Sequence, residues 1–457
     1  MSCFYVQNFG CRATQADGAA IERQFQEQGL DRADSSDNAQ VVVLNTCTVT
    51  ASADQDARAA IRRIHRDNPE AQIVVTGCYA QRAPEEIAAI PGVSQVIGNS
   101  HKHQLAKILR PTFVPLSALS TAKQSSDTNI FVSDIFAHTE LLAAPVFEAA
   151  NQRTRPNLKV QDGCDNRCSF CVIPSVRGQS RSLPLTKVVD EINTLVDAGY
   201  REVVISGINL GRWGRDFDRP QRFEDMVRTI LSATSLKKLR VSSVEPMDWS
   251  CELVDLFAGS ARIAKHAHVP MQSGSDAVLR RMHRKYRPWH YREKIGTIRD
   301  AMPNAAIGAD VMVGFPGETE AEFEETRRMI EDLPITYLHV FTYSARPGTP
   351  AAEMSNQVPV SAARERNRIL RALGEQKKMS FMRSFVGKNI EAITLNVNDA
   401  SHTEALTDNY LKLRFKRMHE PNQWLIAAIE KVENGVLTGV AYPQSNASCP
   451  AKMPSLA

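Results

Sequence analysis

"DGCDNRCSFCVIP", residues 162–174, places three of the chain's nine cysteines within a short loop. Cys164, Cys168 and Cys171 are spaced C-x3-C-x2-C and follow a predicted strand at Leu158–Val160. A structural zinc site normally closes its sphere with four protein ligands, and no nearby Cys or His in the sequence supplies a fourth. The spacing therefore favours an iron–sulfur cluster with one open iron. A zinc site with a remote fourth ligand is the alternative.

The chain around this loop alternates strand and helix patterns. Six such units over roughly 220 residues predict an open or closed (β/α) barrel across residues 157–384, with its chemistry at the carboxyl ends of the strands. The six strands are expected at Leu158–Val160, Val203–Ser206, Leu239–Ser242, Ala267–Val269, Ile307–Val311 and Leu338–Tyr343.

A second group of three cysteines is spread over residues 1–110. Cys11, Cys47 and Cys78 each lie just beyond a predicted strand, in "QNFGCRAT", "VVVLNTCTVT" and "IVVTGCYAQ". The alternating pattern predicts an open parallel α/β domain, in which the carboxyl ends of the strands meet at one edge. A lone buried cysteine is usually plain packing. Three cysteines at matched positions predict a second three-thiolate iron–sulfur site.

The rest of the chain divides into a connection and a small β unit. Residues 111–156 lose the alternating rhythm and are expected to be a linker, with a possible strand near Ile130–Val132. After a helix at Ala362–Phe381, residues 385–450 contain short strands separated by Gly and Asn turns, which are expected at Ile390–Leu395, Leu411–Phe415, Trp424–Ile429 and Val436–Ala441. This pattern is typical of a small all-β barrel.

Composition limits the class of protein. The chain has 457 residues, 55 Lys and Arg against 51 Asp and Glu, and a net charge of +4. The length suits two or three domains, and the charge is weak evidence for a polyanionic partner. No stretch reaches the roughly 18 apolar residues of a membrane span. Clustered cysteines without a disulfide framework fit a reducing compartment, so we expect a cytoplasmic protein with no membrane partner.

The two cysteine groups, in this order, resemble those of the radical methylthiotransferases, a branch of the radical S-adenosylmethionine superfamily. Several blocks are similar to the family's motifs across nearly the whole chain: "NTCTVT", "TGCYAQ", "KVQDGCDNRCSFCVIPSVRG", "SSVEP", "HVPMQSGSDAVLRRMHRKY", "DVMVGFPGETE" and "FTYSARPGTPAA". The resemblance implies two [4Fe–4S] clusters, S-adenosylmethionine as methyl donor and radical source, a sulfur donor and a reducing electron donor. One departure is Thr14, where the family usually has Asn, and it puts the hydrogen bonding near Cys11 in question.

Four residues are candidates for binding S-adenosylmethionine by this resemblance. Gly207 and Asn209, in "SGIN", follow a strand where the methionine end of the cosubstrate would dock, and an ordinary turn is the alternative. Glu245, in "SSVEP", would accept ribose hydroxyls, unless it forms a surface ion pair. Gly314, in "VGFPGE", would lie in a turn against adenine, or would only link strand to helix.

Two stretches are candidates for RNA contact. "ALTDNYLKLRFKR" resembles the TRAM domain, an RNA-binding barrel, and proposes Tyr410, Lys412 and Arg414 as contacts. Residues 262–299 are rich in Lys and Arg, with Tyr286, Trp289 and Tyr291 interleaved. Basic residues hold phosphates and aromatic rings stack on bases. In this stretch the contacts would be Arg284, Lys285 and Arg287, and a solvated helix face is the alternative.

The resemblance implies a tRNA methylthiotransferase that acts on the anticodon stem-loop. "NTCTVT", "SGINLGRWG" and "DNYLKLRF" are most like the branch that modifies C2 of N6-threonylcarbamoyladenosine next to the anticodon. Isopentenyladenosine in tRNA and a ribosomal-protein aspartate are alternative substrates, and a zinc-stabilised RNA-binding protein is the non-catalytic alternative. His266 and His268 share one face of a predicted strand and are assigned to no ligand.

Overall fold

The computed structural model describes residues 3–109, 129–138, 141, 154–396 and 402–443. Most of the expected connection at 111–156 and the expected barrel residues beyond 443 lie outside the described residues. No helix in the described part of the chain is long and apolar enough to cross a membrane.

The first region is a parallel sheet covered by helices on both faces. Its six strands lie in the order β2-β1-β3-β4-β5-β6. The buried run Val41–Leu44 forms the centre, because alternate side chains enter two separate apolar cores, one on each face of the sheet. The strand predicted near Ile130 is the edge strand of this sheet, Asn129–Phe131, and it pairs with Val93–Gly98. The elements are β1 (Cys3–Asn8), α1 (Arg12–Gln26), β2 (Asp31–Arg32), β3 (Val41–Thr46), α2 (Ala51–Asp67), β4 (Gln72–Gly77), α3 (Cys78–Arg82), α4 (Pro84–Ala88), β5 (Val93–Gly98), α5 (Leu105–Leu109) and β6 (Asn129–Phe131).

The second region is a partial (β/α) barrel, as predicted. Its main parallel strands form two groups, β7-β10-β11 and β12-β13-β14, joined by parallel bridges at Leu239–Ile263 and Ser243–His268. The elements are β7 (Asn157–Lys159), β8 (Gln161–Asp162), α6 (Ile173–Arg177), β9 (Arg181–Ser182), α7 (Leu185–Asp197), β10 (Glu202–Ser206), α8 (Phe223–Ala233), β11 (Lys238–Val241), α9 (Cys251–Gly259), β12 (His266–His268), α10 (Asp276–Arg281), α11 (Pro288–Ala301), β13 (Ala306–Val313), α12 (Glu320–Asp332), β14 (Tyr337–Thr342), α13 (Pro350–Glu353) and α14 (Val360–Arg383).

The third region is a closed five-stranded β-barrel with the strand order β15-β16-β17-β19-β18, which confirms the predicted small barrel. Four of these strands agree with the predicted ones, and the fifth, Thr403–Thr407, was not predicted. The strands are β15 (Asn389–Thr394), β16 (Thr403–Thr407), β17 (Lys412–Phe415), β18 (Trp424–Glu433) and β19 (Val436–Pro443).

The turn between β16 and β17 lies against the amino-terminal ends of the (β/α) barrel strands. Arg240 donates to the Asp408 carbonyl at 3.0 Å, and the Tyr410 ring packs 4.6 Å from the ring of His266. Arg12, next to Cys11 in the first region, donates to the Tyr410 hydroxyl at 3.4 Å. All three regions therefore meet around this turn.

Candidate active site between two cysteine groups

The loop that carries Cys164, Cys168 and Cys171 is fixed at several points. Gly163 has a positive φ of 72° and packs so closely that a Cβ there would lie 1.9 Å from the Gln179 carbonyl oxygen. The Cys164 N–H donates to the Gly178 carbonyl at 3.1 Å. Across the barrel mouth, the Ser169 hydroxyl donates to the Arg281 carbonyl at 2.7 Å. The three sulfurs are therefore held at the carboxyl ends of the strands, as predicted.

Polar side chains point at these sulfurs. Asn209 Nδ2 lies 3.6 Å from Cys164 Sγ, and Arg284 Nη1 lies 3.2 Å from Cys168 Sγ. Arg284 also pairs with Glu245, and burial raises the pKa of that carboxyl despite the cation. Burial raises the pKa of the Cys171 thiol to about 12. The Cys171 thiol is thus neutral without a metal, and binding a metal would deprotonate it.

Three of the four S-adenosylmethionine candidates lie at this loop. The Asn209 N–H donates to Gln161 Oε1 at 2.7 Å. Gly207 packs on the same side chain, since a Cβ at Gly207 would lie 2.9 Å from Gln161 Oε1. Asn209 Oδ1 is buried and accepts no hydrogen bond from a described residue, so an acceptor is left beside the sulfurs. Glu245 reaches them through Arg284. These contacts are compatible with the predicted binding role.

The fourth candidate, Gly314, packs on α14 in the turn after β13. A Cβ at Gly314 would lie 2.6 Å from Ala363 Cβ on α14, and its N–H donates to Glu318 Oε2 at 2.7 Å. The glycine therefore allows close packing of a turn on a helix, the alternative that the sequence left open. Its neighbour Phe315 contacts the cysteine loop instead, through an edge-on contact with Phe170.

Cys11, Cys47 and Cys78 converge at the edge of the parallel sheet. Gly10 has a φ of 91°, and a Cβ there would lie 2.7 Å from Cys47 Sγ, so the loop before Cys11 lies directly on Cys47. Burial raises the pKa of the Cys47 thiol to about 11, and the neighbouring Cys78 and Cys11 add to the effect. The Thr14 hydroxyl lies 3.5 Å from Cys11 Sγ, so Thr14 keeps a polar contact to the sulfur.

Each cysteine group offers three sulfur donors. Among the described residues, the only group of three ligand atoms within 4.8 Å of one another is His268, Asp310 and His339, so no imidazole or carboxylate joins two of the sulfurs at that distance. A structural zinc takes four protein ligands, whereas three thiolates suit an iron–sulfur cluster with one open iron. The donor sets therefore fit the iron–sulfur hypothesis.

A buried network of charges joins the two cysteine groups. Asp17 accepts from Lys102 and Arg177, both at 3.0 Å, and from Lys159. Asp162 accepts from Lys159 at 2.8 Å and from Arg177 at 2.9 Å. Burial raises the pKa of Asp17, but the three cations outweigh it and lower the pKa to about 2.

This network places the two groups on either side of one interface. Asp162 lies two residues before Cys164. Burial lowers the pKa of the Arg177 guanidinium, but Asp162 and, with smaller effects, the neighbouring Cys78, Asp17 and Cys11 raise it, so Arg177 lies near both cysteine groups. The network was not predicted from the sequence, although Lys159 and Asp162 belong to the quoted block "KVQDGC". Two charged residues of opposite sign on neighbouring short strands could have indicated a buried ion pair.

The predicted RNA contacts divide into two sets. Lys285, Lys412 and Arg414 are exposed, and the last two lie on one face of β17. Arg284 is buried beside Cys168, and Tyr410 is half-buried between the regions, so these two side chains are less open to RNA than the exposed set. Arg287 is half-buried at the start of α11, where it donates to the carbonyls of Arg284 and Tyr286.

Two of the interleaved aromatics also need a correction. Tyr286 and Tyr291 are buried, and their hydroxyls donate to backbone carbonyls of Met271 and Val269 at 2.7 and 2.8 Å. They are part of the barrel core and cannot stack on bases. Only Trp289 of the three is exposed.

Comparison with known proteins identifies the class of this fold and site. Residues 158–330 match the Radical SAM superfamily, and residues 3–98 match the family described as "Uncharacterized protein family UPF0004". A radical S-adenosylmethionine methyltransferase, TsrM, from Kitasatospora setae, solved with cobalamin and a [4Fe-4S] cluster, has the same fold. It matches with a TM-score of 0.55 and 16% identity over 77% of each chain.

Relatives with higher identity define the family. Threonylcarbamoyladenosine tRNA methylthiotransferase MtaB of Bacillus subtilis is 37% identical, over 95% of this chain and 94% of its own. The tRNA-2-methylthio-N(6)-dimethylallyladenosine synthase of Novosphingobium aromaticivorans is 34% identical, over 85% and 86%. The chain belongs to the radical S-adenosylmethionine methylthiotransferase family. It is an enzyme that transfers a methylthio group, with tRNA as its class of substrate.

Proposed function

We propose that the enzyme adds a methylthio group to C2 of N6-threonylcarbamoyladenosine next to the anticodon of tRNA, with two [4Fe–4S] clusters. The observation that supports this most directly is the pair of three-cysteine groups on either side of one buried interface. Each group leaves one iron of a four-iron cluster without a protein ligand. The choice of nucleoside rests on the names of the relatives, and isopentenyladenosine is the second candidate for the same reason.

Cys164, Cys168 and Cys171 would hold the cluster that binds S-adenosylmethionine. When bound, a cluster of this class supplies the electron that cleaves the sulfonium of S-adenosylmethionine reductively. Asn209 and Arg284 donate to the sulfurs and so favour the thiolate form. Because Arg284 also holds Glu245, that carboxylate is positioned to accept ribose hydroxyls. Gly207 leaves space beside Gln161 for the methionine end.

Cys11, Cys47 and Cys78 would hold the second cluster, which would carry the sulfur to be transferred. Arg177 supplies positive charge beside Cys11 and Cys78, which suits an anionic sulfur ligand. A separate sulfur donor and a separate reducing electron donor complete the reaction. Free thiols and an RNA substrate fit the reducing cytoplasm.

The exposed cations of the β-barrel would bind the anticodon stem-loop. Lys412 and Arg414 point outward from β17, and Lys285 is exposed on the (β/α) barrel. Side chains of this kind contact phosphates and give affinity without reading sequence. The selection of one base would therefore depend on the site between the two cysteine groups.

Nucleoside analysis of tRNA from a strain that lacks this gene tests the substrate. We expect the 2-methylthio form of N6-threonylcarbamoyladenosine to disappear by mass spectrometry and to return with the wild-type gene. The Cys47→Ala gene should fail to restore it, whereas the control Cys251→Ala, at an exposed cysteine on α9, should restore it. Persistence of that methylthio nucleoside in the deletion strain would refute the choice, and loss of the isopentenyl form would favour the second candidate.

Anaerobic purification with iron and sulfide assays tests the clusters. We expect about eight irons per chain for the wild-type protein and about four for either the Cys47→Ala or the Cys168→Ala protein. Zinc without sulfide would contradict the proposal.

A further inference from the structure

Three polar side chains line the interior of the (β/α) barrel near its open edge. His268 on β12, Asp310 on β13 and His339 on β14 have ligand atoms within 4.8 Å of one another. Asp310 and His339 are register partners. The face they share is the interior one, because the alternating residues Leu338 and Val340 pack toward the helices of the core.

One nitrogen of the buried imidazole in this group makes no hydrogen bond to a described residue. His268 is 8% exposed, and its Nδ1 is hydrogen-bonded to the Ser243 hydroxyl. Its Nε2 lies 3.3 Å from Asp310 Oδ1 and makes no hydrogen bond to a described residue. A buried nitrogen without a hydrogen bond costs free energy, so a ligand that offers a donor or an acceptor to this nitrogen would be stabilised.

An exposed aromatic ring lies next to this polar group. Phe341 is on the same face of β14 as His339, about 6.6 Å further along the strand, and its side chain is 49% exposed. Large apolar side chains inside a barrel are normally covered. An uncovered ring beside hydrogen-bonding groups is the combination that proteins use to hold unstacked bases.

The group formed by His268, Asp310 and His339 also lies on the side of the barrel that faces the second cysteine group. The loop after β14 bonds to the loop that carries Cys47. The Ser344 hydroxyl accepts from the Ala51 N–H at 3.2 Å, and Arg346 donates to the Thr48 hydroxyl at 2.8 Å. A base held on Phe341 would therefore be close to the sulfur of that group, while the opposite wall leads to Ser243 and then to Glu245 at the first group.

We propose that His268, Asp310, His339 and Phe341 form the subsite for the target purine of the RNA, unstacked from its neighbours. The base stacks on Phe341, and its polar edge bonds to the two imidazoles and the carboxylate. This inference rests on the proposed function. A divalent cation is the other ligand that two imidazoles and a carboxylate could bind. A cation site would not account for the exposed Phe341 ring beside it, whereas a stacked base would.

Fluorescence of 2-aminopurine tests the stack. An anticodon stem-loop RNA with 2-aminopurine at the target position is bound to the reconstituted holoenzyme. We expect the wild-type and Phe341→Tyr proteins to quench the probe, and the Phe341→Leu protein to quench it several-fold less. With the natural RNA, Phe341→Leu should raise KM about tenfold, as expected for the loss of one base–aromatic stack. Equal quenching and equal KM in Phe341→Leu and wild type would overturn the inference.

The polar group is tested with Asp310→Asn. We expect weaker quenching and a raised KM, with iron content equal to that of wild type. Zinc and manganese are measured after the wild-type protein is incubated with each metal and desalted. One equivalent of either metal, lost in Asp310→Asn, would assign the group to a cation and overturn the inference. Failure of the proposed function looks different, because the wild-type enzyme itself would then methylthiolate neither candidate adenosine.

Discussion

Replacing Asp17 with Asn should destabilise the protein strongly, because Asp17 is the centre of the buried network between the two cysteine groups. The lowering of its pKa from 3.8 to about 2 corresponds to roughly 2.5 kcal/mol of stability at neutral pH. Asn also leaves Lys102, Lys159 and Arg177 with Asp162 as the one remaining carboxylate of the network. Removing one partner from a buried ion pair typically costs about 3–5 kcal/mol, so we expect a loss of about 3 kcal/mol.

Urea unfolding of the cluster-free protein measures this loss. The fluorescence of Trp213 and Trp249, both buried in the barrel core, reports on the barrel. The double variant Asp17→Asn/Lys159→Met should recover part of the stability, since it removes one of the excess cations. Asp67→Asn, at an exposed pair with Arg66, is the matched control and should change little. An unfolding midpoint of Asp17→Asn equal to that of wild type would refute the reasoning.

The same carboxylate gives a pH dependence with a definite sign. Its folded pKa is lower than its ordinary value, so its stabilisation is complete above about pH 4 and is lost as the pH falls toward 2. Wild-type stability should therefore fall more steeply than that of Asp17→Asn between pH 4 and pH 2. Parallel curves for the two proteins would contradict the pKa of about 2.

Three further predictions concern the site and the RNA surface. Cys168→Ala should abolish the release of 5′-deoxyadenosine and leave RNA affinity unchanged; release at the wild-type rate, measured by chromatography, would refute its role as a ligand. Arg284→Lys keeps the charge but loses the forked geometry that contacts both Cys168 and Glu245, so it should lower the rate of 5′-deoxyadenosine release about 10–100-fold. A rate equal to that of wild type would show that the charge alone is sufficient. Lys412→Glu/Arg414→Glu should weaken binding of the anticodon stem-loop and reduce the slope of log affinity against log salt concentration by about two, one for each lost phosphate contact. An unchanged slope between about 50 and 200 mM salt would show that these residues do not contact RNA.

The features that the sequence predicted well are those that depend on local pattern. Apolar runs such as Val41–Leu44 marked buried parallel strands, and the convergence of Cys11, Cys47 and Cys78 followed from their position after such strands. β16 was missed because Glu404, Ala405 and Leu406 have helical preferences, which closure of the barrel overrides.

Features that depend on distant contacts could not be predicted in the same way. Arg284 belongs to a basic stretch, and in the sequence it is indistinguishable from Lys285, which is exposed. Only the fold shows that one side chain turns inward to Cys168 and the other outward. The half-buried position of Tyr410 could not be predicted for a similar reason, because its turn is covered by a different region, beside His266 and Arg12.

The charge of the buried network explains why the interface between the cysteine groups is ionic. A hydrophobic interface of the same size would often be as stable or more stable, so stability alone does not account for Asp17 and its partners. Three cations, Lys102, Lys159 and Arg177, against two carboxylates leave one positive charge in a region from which water is excluded. Three thiolates on a [4Fe–4S] core of charge +2 carry one negative charge, and Arg177 lies close to two of the thiolates. The network would therefore compensate the charge of the proposed second cluster within the interface, which an apolar interface could not do.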